Sequence, residues 1–347
     1  MALTEDEIIE FREALKNAER PFFMFDDDPD GLSSFLLLYR MVQEGKGMIM
    51  KSAPVVKEEY VAKVKEYGPD LVVILDMPDV EQAFLDAMDC KVLWLDHHQP
   101  QDKKGVRYFN PRVHDDSNGK PTSYWCWQIV KDESPEDFWI AMVGCVSDWF
   151  LPEFAGEFSE KYPGLLDKDV PRVQEALFDS PLGKVCRVFS FLLKGKTSDA
   201  MKSVKILTRI TEPKEILEQT SAQGAFVWKR YLSLGKEYDA LITSAKKCAD
   251  DDLFLVFQYT ETQTSFTSDL SNELLYRFPE KIIFVCRNKS GKMKCSSRSS
   301  EHELPSRIEE AMNGLDGYGG GHAHACGIVV REDQFNEFLS RFKESFK

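Results

Sequence analysis

Short apolar runs that end in an acidic residue recur in the first part of the chain. They are PFFMFD (residues 21–26), DLVVILD (70–76) and KVLWLD (91–96), each with the length of a buried β-strand. Segments with helical spacing of apolar residues lie between them, for example LSSFLLLYRMVQEG (32–45), and an amphipathic pattern over 4–19 comes first. This alternation predicts an α/β fold with a parallel sheet covered by helices.

The rest of the chain divides into a helical part and a second α/β part. Residues 156–248 are mostly charged and have helical spacing, which predicts a helical connector behind a first domain of residues 1–155. A smaller α/β domain is predicted over residues 249–347. Its apolar runs predict strands over residues 252–259, 281–288 and 292–299, and a glycine-rich loop leading into a strand over residues 317–330.

Composition and charge narrow the class of protein. The net charge of −14 argues against a protein that coats nucleic acid through lysine and arginine. The eight cysteines are scattered without a CxxC pair, which argues against a zinc ribbon or a disulfide scaffold. No apolar run approaches the roughly 20 residues of a membrane helix, and the charged N-terminus is unlike a signal peptide. These features predict a cytoplasmic protein with no membrane partner.

The first apolar run leads into the acidic segment Asp26-Asp27-Asp28-Pro29-Asp30-Gly31. In an extended backbone Asp26, Asp28 and Asp30 would point to one side, where their charges repel unless a cation lies among them. Gly31 would allow a tight turn into the next helix. Taken alone, the segment is also compatible with an acidic turn and a helix cap.

Further acidic and histidine residues follow other apolar segments. Asp76 ends the second run, Asp96-His97-His98 ends the third, and Asp148 lies near the end of an apolar helical stretch over residues 122–149. Asp76 and Asp148 could instead cap helices, but four such clusters at element ends favour a shared metal site. Carboxylates with imidazole suit Mn²⁺ or Mg²⁺, and the nitrogen ligand favours Mn²⁺.

The ordered motifs DDDPDG, LDMPD, LDHHQP and VSDW resemble those of the DHH phosphoesterase superfamily, and the first motif is similar to that of RecJ-type exonucleases. The resemblance implies a site with two Mn²⁺ ions, although Mg²⁺ is possible, in which Asp76 bridges the ions. His98 would contact the scissile phosphate, and Asp96 would orient a histidine. Many relatives have histidine at the position of Asp26. The implied metal ligands are Asp26, Asp28, Asp30, Asp76, His97 and Asp148.

The C-terminal part resembles the DHH-associated domain with its GGGH motif, here Gly319-Gly320-Gly321-His322. Glycine amides can form an anion-binding nest, so the resemblance implies that these four residues bind substrate. Arg298 lies where relatives place a substrate-binding arginine, and a cleft between the two domains is implied. The basic run from Arg287 to Arg298 could hold the rest of a nucleotide strand, or it could be a solvated edge strand.

These features predict a manganese-dependent phosphodiesterase that hydrolyses short single-stranded RNA or DNA, in the manner of RecJ-like or nanoRNase-like exonucleases. The chain is too short for the extra oligonucleotide-binding domains of long RecJ enzymes, which favours short substrates. One alternative is a cyclic-dinucleotide phosphodiesterase. Another is an inactive RecJ-derived replication scaffold, and replication or repair proteins are possible partners.

Overall fold

The structure is a computed structural model that describes residues 3–51, 55–260 and 264–346. The chain folds into two compact units, residues 1–231 and 232–347. The predicted three-part division of the chain therefore remains a proposal.

The first unit is built on a five-stranded parallel sheet with the order β2-β1-β4-β6-β7. A short parallel pair, β3 with β5, lies outside this sheet. The strands of this unit are β1 (Pro21–Asp26), β2 (Lys46–Met50), β3 (Val55–Val56), β4 (Leu71–Leu75), β5 (Asp79–Val80), β6 (Lys91–Leu95) and β7 (Arg107–Phe109).

Helices cover the sheet and continue into the segment that follows it. They are α1 (Glu5–Lys16), α2 (Pro29–Val42), α3 (Val61–Tyr67), α4 (Gln82–Asp86), α5 (Thr122–Val130), α6 (Phe138–Ser147), α7 (Ala155–Lys161), α8 (Val173–Phe178), α9 (Pro181–Leu193), α10 (Thr197–Leu207), α11 (Pro213–Leu217) and α12 (Ala222–Lys246). α2 packs against α5 and α6, so the segments that carry the candidate ligands meet in one core.

Burial explains why the apolar runs become central strands. Every residue of β4 is buried, as are the first five residues of β1, because parallel strands carry helices on both faces. Phe22 and Trp94 pack on one face of the sheet with α4. On the other face Phe25 stacks on Phe35 of α2 with ring centroids 4.6 Å apart. The predicted parallel α/β fold is thus confirmed.

The second unit is a mixed five-stranded sheet with the order β11-β12-β10-β9-β8. β8 and β9 are parallel, and the other neighbours are antiparallel. The elements are β8 (Phe254–Thr260), α13 (Thr267–Arg277), β9 (Ile282–Lys289), β10 (Lys292–Arg298), α14 (Pro305–Met312), β11 (Gly317–His322), β12 (Ala325–Arg331) and α15 (Phe335–Glu344). α13 contacts β9 and β10, whereas α14 and α15 complete an apolar core with the sheet.

One expectation about local structure is wrong. The glycine-rich segment is not a loop, because Gly317–His322 forms β11 and pairs with β12. The stretch over residues 122–149 is helical as predicted, and it forms two helices, α5 and α6, separated by a short turn around Pro135. A run of glycines alone does not distinguish a loop from an edge strand, because the strand with which it pairs lies elsewhere in the chain.

Candidate metal centre

The candidate ligands gather at the carboxyl ends of β1, β4 and β6. Asp26 is the last residue of β1, Asp76 follows β4, and Asp96-His97-His98 follows β6. Because these three strands are neighbours and parallel, their carboxyl ends lie at one edge of the sheet. This is the edge where open α/β sheets bind ligands.

Asp28 and Asp30 lie at the start of α2. The Asp28 carboxylate accepts a 2.9 Å hydrogen bond from the Gly31 amide, so it caps the helix as well as facing the site. Gly31 does not make the expected turn, because it lies inside the helix. A Cβ at Gly31 would lie 2.8 Å from the backbone N and O of Asp26. Glycine is required here because the helix approaches the end of β1 closely.

The Asp30 carboxylate is held by the amino terminus of α5. The amides of Thr122 and Ser123 each donate a 2.9 Å hydrogen bond to it, one to each oxygen. The Thr122 hydroxyl donates to Asp76 Oδ1 over 3.0 Å. Sequence reasoning missed both residues, although Pro-Thr-Ser before an apolar helix is a recognisable helix start.

Asp76 is buried and has a left-handed backbone with φ +60°. Its Oδ1 lies 3.4 Å from His97 Nε2, and the same nitrogen lies 3.7 Å from Asp148 Oδ2. An aspartate tolerates this backbone region better than most residues do. The conformation thus places the carboxylate between the acids of the first motif and the histidine pair.

Three groups of side chains could each hold a metal ion. Within a group, every residue offers one ligand atom, and these atoms all lie within 4.8 Å of one another. Asp76 belongs to two of the groups, and His97 also belongs to two. The structure therefore brings together all six residues predicted as metal ligands. The groups are Asp26 with Asp28 and Asp76, Asp30 with His97 and Asp148, and Asp76 with His97 and His98.

Asp96 lies behind the histidine pair. Its Oδ1 is 2.7 Å from His98 Nδ1, and its Oδ2 accepts a 3.0 Å bond from the His98 amide. Asn110, which follows β7, donates to the His98 carbonyl over 2.9 Å and to Asp96 over 3.3 Å. Tyr108 adds a 3.3 Å bond to Asp96. Asn110 and Tyr108 were not predicted, because β7 is too short to recognise as a strand.

Burial and repulsion between neighbouring carboxylates raise the pKa values of the aspartates in this site. Burial raises the pKa of Asp26 to about 7, and the neighbouring Asp28 charge adds to the effect. Burial, followed by the Asp28 charge, raises the pKa of Asp30 to about 6. The pKa values of Asp76 and Asp148 are raised well above the usual range by burial and then by the charge of Asp30. A cation among these carboxylates would remove that cost.

The two histidines are shifted in opposite directions. Burial lowers the pKa of His97 to about 3, which leaves a neutral imidazole able to bind a metal. Burial also acts to lower the pKa of His98, but the hydrogen bond and the charge of Asp96 outweigh it, so that pKa is raised. The neighbouring histidines are therefore suited to different tasks.

Asp27, the second of the four acids in the first motif, lies 3.4 Å from Lys51. Lys51 also donates to the carbonyls of Leu193 and Gly195, at the end of α9. Burial raises the pKa of Asp27 to about 6, although the Lys51 charge opposes the shift. This lysine ties the acidic loop to the following helical segment, a contact that the sequence did not indicate.

The residues predicted to bind substrate in the second unit lie on its sheet. Arg298 ends β10, where its Nε donates a 2.7 Å bond to Asn272 Oδ1 of α13. Gly319, Gly320, Gly321 and His322 lie on β11, the edge strand. They form the edge strand of the sheet and not the expected nest.

Family comparisons agree with these observations. The model of the DHH family, N-terminal domain, matches residues 22–143, and that of the DHHA1 domain matches residues 253–347. The chain belongs to the DHH phosphoesterase family and carries a C-terminal DHHA1 domain. No curated protein matches the chain in sequence.

Solved structures share its fold at low identity. RecJ from Thermus thermophilus in complex with Mn²⁺ superposes with a TM-score of 0.68 and 17% identity, covering 97% of this chain and 53% of that one. CDC45 from Entamoeba histolytica gives 0.53 and 10% over 100% of both chains. The pGpG-specific phosphodiesterase PggH from Vibrio cholerae gives 0.53 and 12%, covering 92% of this chain and 96% of its own. The chain thus spans about half the length of that RecJ.

No helix within residues 3–51, 55–260 and 264–346 is both long enough and apolar enough to cross a membrane.

Proposed function

We propose that this protein is a manganese-dependent phosphodiesterase that hydrolyses short single-stranded nucleic acid. One observation carries the proposal. Five aspartates and two histidines from separate segments lie close together at one sheet edge, where burial and neighbouring charges raise the pKa values of the aspartates. Such an arrangement costs stability unless cations compensate it, so it is typical of a site built for metal.

The donor set fits two divalent ions of the Mn²⁺ or Mg²⁺ type. All the groups are carboxylates or imidazoles, and no cysteine belongs to any of the three groups among the described residues. Crystal structures of the Thermus RecJ contain Mn²⁺ in one case and Mg²⁺ in another, which supports the same choice. We favour Mn²⁺ because His97 supplies a neutral nitrogen ligand. Asp26, Asp28, Asp30, Asp76, His97 and Asp148 would hold the ions, with Asp76 shared between them.

Bound ions of this type supply a hydroxide nucleophile at neutral pH and neutralise phosphate oxygens. The chain's own groups then position the substrate. The Asp96 carboxylate holds Nδ1 of His98, which leaves the Nε2–H of a protonated His98 to donate to a phosphate oxygen. That donation would strengthen as negative charge builds on the phosphate. In the second unit we assign substrate binding to Arg298, the three glycines of β11 and His322.

A short substrate is favoured by the net charge of −14, because long strands are usually held by an excess of basic residues. The likeness to RecJ and to a pGpG-specific phosphodiesterase leaves the finer choice between strands and dinucleotides to experiment. Cyclic dinucleotides are the first alternative. The second is a scaffold without activity, for which the fold shared with CDC45 is the supporting observation, while the complete ligand set speaks against it.

The test is a product time course. Purified protein is loaded with Mn²⁺ and given end-labelled RNA and DNA strands of several lengths, a linear dinucleotide and a cyclic dinucleotide. We expect stepwise shortening of the short strands, with polarity read from the position of the label. Asp76→Asn should abolish turnover and lower the bound manganese. Full turnover by Asp76→Asn, or no turnover of any substrate by manganese-loaded wild type, would refute the proposal.

A further inference from the structure

Two buried cysteines face each other across the hairpin that β9 and β10 form in the second unit. Cys286 of β9 and Cys295 of β10 are register partners in this antiparallel pair. Both side chains belong to the apolar core that the sheet forms with α14 and α15, so they point to the same face. Cys286 is completely buried, and Cys295 is 4% exposed. Neither cysteine belongs to the candidate metal centre, so the proposed function does not use this pair.

The turn of the hairpin fixes how the two cysteines oppose each other. Strand β9 ends at Lys289 and β10 begins at Lys292, which leaves a two-residue turn. Both turn residues have a positive φ, +53° and +73°, as a type I′ turn requires. Such a turn is closed by a hydrogen-bonded pair, here Lys289 with Lys292, and the two kinds of pair then alternate along the strands. Cys286 and Cys295 form the third pair beyond the closing pair, so they are a non-hydrogen-bonded pair.

A non-hydrogen-bonded pair brings the two side chains close together. The Cα atoms of such a pair are about 4.5 Å apart, compared with about 5.5 Å in a hydrogen-bonded pair. A disulfide joins residues whose Cα atoms are about 4.4–6.8 Å apart. The backbone therefore already holds Cys286 and Cys295 within reach of a disulfide. A bridge near the short limit of this range is more easily reduced than one at the preferred separation of about 5.5–6 Å.

The third cysteine in the core of this sheet has no thiol opposite it. Cys326 of β12 belongs to the same core, but its register partners are Ser297 and Gly321. Relative to Cys295 it lies on the diagonal of the ladder, where Cα atoms are about 7–8 Å apart. That separation is too long for a disulfide. The register thus selects one pairing, Cys286 with Cys295.

A cavity lies next to this pair on the same face of the sheet. It has a volume of about 310 Å³, and its lining includes Asn288 and Met293, each two residues from one of the cysteines. Gln258, the register partner of Cys286 on β8, also lines it. Hydrogen peroxide is only slightly larger than water, so a cavity of this size admits it. A small oxidant can therefore come close to Cys295 without unfolding of the sheet.

The two thiols are suited to different steps of an oxidation. The attacking group in such reactions is a thiolate. Burial raises the pKa of Cys286 well above its usual range, and the neighbouring Cys295 raises it further. Cys295, the more exposed of the two, is therefore the thiol that meets the oxidant, and Cys286 attacks a sulfur that already lies beside it.

We propose that Cys286 and Cys295 are a redox-sensitive pair that hydrogen peroxide converts into a reversible cross-strand disulfide. The Cys295 thiolate attacks one peroxide oxygen, the O–O bond breaks, and a sulfenic acid and water are formed. The Cys286 sulfur then attacks the sulfenic sulfur, whose hydroxyl leaves with the thiol proton as a second water. In total the two thiols are oxidised to one disulfide, and one peroxide is reduced to two molecules of water. This inference does not rest on the proposed function.

The test maps disulfides in the full chain. Reduced protein is treated with hydrogen peroxide, the remaining thiols are alkylated, and tryptic peptides are identified by mass spectrometry. Trypsin cleaves after Arg287 and after Lys294, so Cys286 and Cys295 leave in separate peptides that only a disulfide can join. The exposed Cys248 shows in each sample that the oxidant reached the protein.

We expect joined peptides from the folded wild type and recovery of both thiols after treatment with dithiothreitol. Cys295→Ala should abolish the joined peptides, and Cys295→Ser should do the same if the alanine variant does not fold. Cys326→Ala is the matched control, because it removes another cysteine from the same core. It should give the joined peptides in the same yield as wild type.

Recovery of Cys286 and Cys295 as free thiols from a sample in which Cys248 is fully oxidised would overturn the inference. So would oxidation of Cys295 to a sulfinic acid without joined peptides. Joined peptides that form only above the melting temperature would also overturn it, since the disulfide would then belong to the unfolded chain. Hydrolysis of nucleic acid is measured separately, so either proposal can fail without the other.

Discussion

The Oδ1 atom of Asp96 lies 2.7 Å from Nδ1 of His98, two residues further along the chain. The contact is local, but Asp96 is completely buried, whereas His98 is partly exposed. The carboxylate can therefore orient the imidazole so that Nε2 faces a ligand, although the ligand itself does not contact Asp96.

Asp96→Asn should lower kcat about 10- to 100-fold with a smaller effect on KM, because the amide keeps the shape but loses the charge that supports a protonated His98. The interaction with Asp96 raises the pKa of His98, so removing it should lower that pKa. If protonated His98 is the active form, activity is lost as pH rises through this pKa, and the variant should lose it at lower pH. A pH–rate profile shared by variant and wild type would contradict this role, and Asp89→Asn, at an exposed position, is the control.

Replacement of Thr122 by valine should weaken Mn²⁺ binding about tenfold, since the hydroxyl that donates to Asp76 is lost while the amide bond to Asp30 remains. Thr122→Ser keeps the hydroxyl and should bind Mn²⁺ as wild type does. Calorimetric titration of the metal-free protein measures both. If Thr122→Ser and Thr122→Val bind Mn²⁺ equally well, the hydroxyl does not orient Asp76.

Metal-free protein should lose stability as pH rises. Burial raises the folded-state pKa of Asp26 to about 7 and that of Asp30 to about 6, so these groups hold protons that the unfolded chain releases near about pH 4. Their contribution is thus complete below about pH 4 and disappears by about pH 7. The increase in melting temperature on adding Mn²⁺ should therefore be larger at about pH 8 than at about pH 5. An equal increase in melting temperature at the two pH values would show that protons do not compete with Mn²⁺ for these carboxylates.

Arg40 and Asp137 form a buried ion pair at 2.7 Å, and Arg40 also donates to the carbonyls of Thr208 and Ile210. Arg40→Ala should lower the free energy of unfolding by about 3–5 kcal/mol, because it leaves Asp137 buried without its partner. Lys65→Ala, which breaks an exposed pair, should cost less than about 1 kcal/mol. Urea unfolding measures both, and similar small losses would mean that the buried pair does not anchor the helical segment.

Gly31→Ala should weaken Mn²⁺ binding, because its Cβ would lie 2.8 Å from the Asp26 backbone and must push the acidic loop away. Gly156→Ala is the matched control: it also lies in a helix, but its Cβ would meet nothing within 4 Å. The control should leave metal affinity unchanged and stabilise the protein by up to about 1 kcal/mol. Unchanged manganese affinity in Gly31→Ala would show that the loop adapts.

The sequence predicted those parts of the site that depend on strand ends. Asp76 and Asp96 follow apolar runs whose neighbours are also buried, so the parallel sheet and its carboxyl edge could be inferred. β2 was not predicted, because its start, Lys46-Gly47, is exposed or half-buried and resembles a loop. Strand β7 has three residues, too few for any periodicity to show.

The contacts that orient the ligands could not be predicted for a different reason. Thr122 and Asp30 are 92 residues apart, and their hydrogen bond exists only because α2 packs against α5. Lys51 likewise reaches Asp27 only through the pairing of β2 with β1. Such partners are fixed by tertiary packing, which leaves no local pattern in the chain.

The left-handed backbone of Asp76 restricts what evolution can place there. Asparagine and glycine adopt φ near +60° readily, whereas branched or bulky residues pay a conformational cost of about 1–2 kcal/mol. A descendant of this protein that abandons hydrolysis would therefore be expected to drift first to asparagine or glycine at position 76. The residue at position 76 could then be used to recognise homologues that have lost hydrolytic activity when related genomes are surveyed.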